Sequence, residues 1–127
     1  MNLLIQKYLI ILVSILILFG CAVTPEMTRK TGARDTQIIS AKRSAVASCI
    51  SRRLNTLFSG SIWGYRVIED GESSVQLESG GVTMCVYDLE EWSGGTMVTL
   101  YEPSSFGIEE TLSITDHCRN KLLESKK

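Results

Sequence analysis

Hydrophobic and polar positions change rhythm several times along the chain. Residues 8–19, YLIILVSILILF, carry no charge and are broken only by Ser14. Residues 22–34, AVTPEMTRKTGAR, hold Pro25, Gly32 and mixed polar side chains without a periodic apolar stripe, a composition that predicts a flexible tether. From Asp35 or Thr36, residue types that accept hydrogen bonds from free N–H groups at a helix start, Ile39, Val46, Cys49, Ile50, Leu54 and Leu57 recur at spacings of three, four and seven. That spacing predicts a helix closing near Ser59-Gly60, because glycine adopts the left-handed conformation that ends a last turn.

The period then shortens to two. Tyr65 to Ile68, Ser74 to Glu78, Val82 to Leu89 and Thr96 to Tyr101 alternate, and Asp70-Gly71, Gly80-Gly81 and Ser93-Gly94-Gly95 separate them as turns. Pro103 ends the last strand, Ser104 or Ser105 offers a cap, and Glu109 and Glu110 suit the positive end of a helix dipole. Ile108, Thr111, Leu112, Thr115, Cys118 and Leu122 form a second helical stripe. The expected fold is α+β: a four-stranded antiparallel meander sheet with an N-terminal and a C-terminal helix packed on one face. Val75, Leu77, Met84, Val86, Val98 and Leu100 are expected to point inward, leaving Gln76, Thr83, Cys85, Tyr87, Met97, Thr99 and Tyr101 on an uncovered face.

Length and charge narrow the possibilities. A chain of 127 residues suits one domain, and thirteen Lys and Arg against fourteen Asp and Glu leave a net charge near −1. No basic stripe is present to hold nucleic-acid phosphates, so nucleic acid is not an expected partner. The apolar run behind Lys7 falls short of the roughly 20 residues that span a bilayer and fits the roughly 7–15 residues of a secretory leader. Its end, Leu18-Phe19-Gly20-Cys21, resembles the lipobox of bacterial lipoproteins, although Phe19 is bulkier than the usual residue at that place. The resemblance implies a signal peptide over residues 1–20, acyl chains on Cys21, a lipidated tether over 21–35 and one domain over 36–127. Two or three acyl chains hold a protein on a bilayer durably. Ala22 in place of Asp after the cysteine resembles the sorting signal for the outer membrane, here its periplasmic face.

Export would place the remaining cysteines, Cys49, Cys85 and Cys118, where disulfides persist. Cys49 and Cys118 lie on the stripes of the two predicted helices, so a bond between them is expected, with Cys49 to Cys85 as the rival pairing. His117 adjoins Cys118, but adjacent helical residues point about 100° apart and cannot act as nucleophile and base together. The chain has no CxxC pair, GxSxG elbow, phosphate-binding loop or HExxH helix. No catalytic residue, metal site or cofactor is therefore expected, and no small-molecule substrate is evident.

The remaining candidates are surface groups. Asp88, Glu90 and Glu91 crowd the approach to Trp92, and tryptophans, Trp63 included, favour protein contacts. Tyr87, Met97 and Tyr101 on the uncovered face join Glu90, Glu91 and Trp92 as a candidate partner-binding surface. AVASCISRR at Ala45 to Arg53, VYDLE at Val86 to Glu90, GGTMVTLYE at Gly94 to Glu102 and the terminal helix with Cys118 together resemble small uncharacterised lipoproteins of Gram-negative bacteria and their mobile elements. That resemblance implies fold and envelope location, and carries over neither an activity nor a functional residue. The expected function is a membrane-anchored, non-enzymatic protein-binding module, of inhibitor or immunity type, with an envelope protein as partner. A structural subunit of an envelope or secretion assembly is the alternative.

Overall fold

The computed structural model describes residues 2–19, 24–58, 64–102 and 108–125, with the side chains of 16–19 and 108 excepted. Its elements run α1 Asn2–Phe19, α2 Pro25–Lys30, β1 Ala33–Ile39, α3 Arg43–Phe58, β2 Tyr65–Asp70, β3 Ser74–Ser79, β4 Val82–Trp92, β5 Gly95–Tyr101 and α4 Ile108–Glu124. The strands make one antiparallel sheet in the order β1-β5-β4-β3-β2. The chain is thus α+β and the last four strands form a meander, but the sheet has five strands where four were expected.

The additional strand comes from residues expected to finish a tether and open a helix. Residues 33–39, ARDTQII, alternate in exposure, with Gln37 turned toward α4 and Ile39 fully buried while Ile38 between them is exposed. β-Branched Thr36, Ile38 and Ile39 suit extended backbone, and pairing with β5 from Asp35↔Leu100 to Ile39↔Thr96 satisfies its polar groups. Ile39 lies seven residues before Val46, so it fits a helical stripe by coincidence of spacing. The helix itself starts at Arg43.

Within the expected tether, Pro25–Lys30 is a helix. Thr24 caps it by accepting from the Met27 backbone N–H at 3.3 Å, and Pro25 occupies the first turn, where a missing N–H costs nothing. Glu26 near its start and Arg29 and Lys30 near its end match the helix dipole.

The long helices α3 and α4 pack on one face and are joined by a disulfide between Cys49 and Cys118, whose Cα atoms lie 5.8 Å apart. Val46, Ile50 and Leu54 of α3 and Ile114 of α4 close over Val75, Leu77, Tyr87, Leu89, Val98 and Leu100. The facing of β4 is the reverse of the one expected. Cys85, Tyr87 and Leu89 point into the helix-covered core, and the Tyr87 hydroxyl donates to the Thr111 carbonyl of α4 at 2.8 Å. A register shift at Leu77/Glu78 inserts one extra residue of β4, and a shift of one residue exchanges the faces of a strand.

The opposite face is not uncovered. Helix α2 lies across the central strand β4, burying Thr28 completely and reaching Asp88 and Ser74 with Arg29. β4 is consequently covered on both sides, which is why Val86 is as fully buried as Tyr87. The described side chains of α1, residues 2–15, are all exposed. Among the described residues no helix is long and apolar enough to cross a membrane.

Candidate functional site

Among the described residues a concave feature lies at the end of the sheet where β1 passes into α3 beside the β4–β5 hairpin. Ala41 donates its N–H back to the Ile39 carbonyl at 2.8 Å, and Thr96 Oγ1 donates to the Ala41 carbonyl at 2.8 Å, so the connection is tied to β5. Gly95 runs so close beneath this turn that a Cβ would collide with the Ile39 carbonyl oxygen. Gly94 takes a φ of +84°, which lets the hairpin reverse between the paired residues Trp92 and Gly95.

These constraints leave a groove of about 700 Å³ lined by, among others, Lys42, Arg43, Ser44, Glu72, Glu91 and Trp92. Trp92 is 50 % exposed, a large apolar surface left in water. Arg43 approaches Glu72 Oε2 at 3.9 Å, and its Nε is buried without a hydrogen bond among the described residues. Chemically the groove offers an aromatic surface, two cations and two carboxylates, a combination suited to a polypeptide segment. Among the described residues no group of three His, Cys, Asp or Glu side chains could hold a metal ion.

The expected surface residues are divided among different places. Glu90, Glu91 and Trp92 are exposed at the end of β4, and Glu91 and Trp92 line the groove. Met97 and Tyr101 are half-buried, on the face that α2 covers, and do not line the groove. Tyr87 does not belong to that surface, since it is wholly buried beneath α4. Cys85 is likewise buried in the helix-side core as a free thiol. Cys21 and Trp63 lie outside the described residues. The groove also uses Lys42, Arg43 and Glu72, which the pattern of the chain did not single out. The available signal was the polar break Ser40 to Ser44 between Ile39 and Val46.

A second polar cluster is sealed inside. Glu102, at 0 % exposure, accepts from Thr111 Oγ1 at 2.8 Å through Oε2, while its Oε1 has no hydrogen-bond partner among the described residues. Arg34 Nε donates to the Glu102 backbone carbonyl at 3.3 Å. Burial raises the Glu102 carboxyl above its ordinary range; Thr111 and Arg34 oppose the rise and Glu110 adds to it. Burial also pushes the Cys85 thiol and the Tyr87 phenol up, so both stay protonated.

Comparison of the chain with protein-family models, with curated proteins and with solved structures finds no match in any of the three.

Proposed function

We propose that the chain is a lipoprotein held by acyl chains on Cys21 at the periplasmic face of the outer membrane, where its domain binds an envelope protein without catalysing a reaction. The observation that carries the binding role is the half-exposed Trp92 at a groove that Lys42, Arg43, Glu72 and Glu91 also line. Tryptophan and arginine, with tyrosine, are enriched among the residues that carry affinity at protein interfaces. The anchoring part is supported by the apolar leader, by Leu18-Phe19-Gly20-Cys21, and by the disulfide, a bond that persists in oxidising compartments.

Site-specific photocrosslinking tests the reading. A photoreactive side chain at Ser93 in the full-length protein, expressed in a Gram-negative host, should give one discrete adduct, and Trp92→Ala or Arg43→Glu should abolish it. A ladder of stoichiometric adducts would instead favour a structural subunit of an envelope assembly. Turnover of a substrate by the isolated domain would overturn the non-enzymatic reading.

A further inference from the structure

The ordered α2 helix limits how far the domain can stand from its anchor. Thr24 is fixed as the cap of α2, and α2 is clamped to the sheet by Arg29 and buried Thr28. Only residues 22 and 23 lie between that cap and Cys21, three residue steps in all. Fully extended, three residue steps span about 11 Å. The expected tether of residues 21–35 would have reached several times further.

That short reach limits which side of the domain a lipid-bound Cys21 can bring to a bilayer. A sheet with one layer of helices on it is about 15–20 Å thick, so a leash of about 11 Å starting on the α2 side falls short of the outer surface of α3 and α4. We propose that the α2-covered side of the sheet lies against the bilayer surface, with Met27 and Ile38 at the level of the lipid headgroups. This rests on the reading of Cys21 as lipidated.

Side chains on that side suit the contact. Met27 and Ile38 are each 49 % exposed, and Ile38 stands directly opposite Met97 on the β1–β5 ladder, so their apolar surfaces adjoin. Lys30 lies at the end of α2, and Glu26 and Glu90 give the side both signs of charge, which fits a surface of mixed rather than strongly anionic headgroups. The groove at Trp92 opens at the end of the sheet, so a partner would be met from the side while the domain lies flat.

The test uses full-length protein purified in lipidated form and reconstituted into vesicles of phosphatidylethanolamine and phosphatidylglycerol. Met27→Cys, Ile38→Cys and Leu123→Cys each place a fluorescent label at an exposed position, the last on α4; Cys49 and Cys118 are bonded and Cys85 is buried. Lipids with a spin label at the headgroup should quench the probes at 27 and 38 about threefold or more over the probe at 123, as expected for groups within about 10 Å of the acyl boundary. Inserting ten Gly/Ser residues before Thr24 should remove the difference. Equal quenching at 38 and 123, in protein whose mass includes the acyl chains, would overturn the orientation and leave the anchor standing. A mass without acyl chains would overturn both.

Discussion

Arg29 grips Asp88 with both sides of its guanidinium, Nε donating to Oδ2 and Nη2 to Oδ1, each at 2.8 Å. The hydrogen bonds to Asp88 raise the Arg29 pKa further despite some desolvation, so the guanidinium remains fully charged. Parallel paired bonds of this kind fix geometry as well as adding energy. Here they hold a six-residue helix, too short to be stable alone, over the central strand.

Arg29→Ala or Asp88→Ala should each cost about 1–2 kcal/mol, the pair being only partly shielded from water. The double variant should cost little more than either alone in urea unfolding. Hydrogen exchange at Thr28 and the neighbouring amides should accelerate in all three variants, while the α3 and α4 amides keep their protection.

For Gly95 the neighbour is backbone, which cannot move aside. Gly95→Ala should destabilise the domain by about 2–3 kcal/mol, as overpacking against a rigid neighbour does. Gly80→Ala has open space around its Cβ and should lose only the smaller cost of a positive φ, about 1 kcal/mol. Thermal unfolding of both variants checks the order.

The three cysteines of the domain should behave differently. Replacing both Cys49 and Cys118 by Ala should lower stability by up to about 4 kcal/mol, the chain-entropy ceiling for a closed loop with a separation of 69 residues. Cys85 should resist alkylation in the native state, since it is fully buried and burial disfavours its thiolate. It should react stoichiometrically in guanidinium. Rapid labelling of the folded domain would contradict its placement.

Glu102 makes stability depend on pH with a defined sign. Its carboxyl titrates higher in the folded chain than in the unfolded one, so its contribution is fully present in acid and is lost as pH rises through the folded value. Glu102→Gln should remove that decline, and its stability relative to the parent should increase steadily from acidic to neutral pH. Chemical denaturation at a series of pH values measures the difference; parallel curves would show that Glu102 is not the titrating group.

Most of the architecture was legible where one kind of period dominated. Val75 and Leu77, Val98 and Leu100, and the stripe from Val46 to Leu54 face the core as their spacing implied, and the Cys49–Cys118 bond joins the stripes expected to meet. β4 defeated the same reasoning because it is covered on both faces, so Met84 and Val86 are no less apolar than Cys85 and Tyr87 and alternation carries no direction. At β1, a β-branched run was absorbed into the stripe of the following helix. The cap of α2 was written plainly in Thr24-Pro25-Glu26, but nothing local to six residues announces that Arg29 will meet Asp88, 59 residues away. The groove escaped for the same reason, since Arg43, Glu72 and Trp92 are assembled by three separate turns.

The bond between Cys49 and Cys118 closes a covalent ring that takes in β2, β3, β4 and β5 and leaves α2 and β1 outside it. A protease nicking any hairpin of the ring would produce two pieces that stay tied together until reduced. A cut at Ser40 to Lys42 would sever the only peptide thread between the ring and the segment leading back to Cys21. After that, the ring would be retained by nothing stronger than the β1–β5 ladder, the Arg29 clamp and the other noncovalent contacts of α2 and β1.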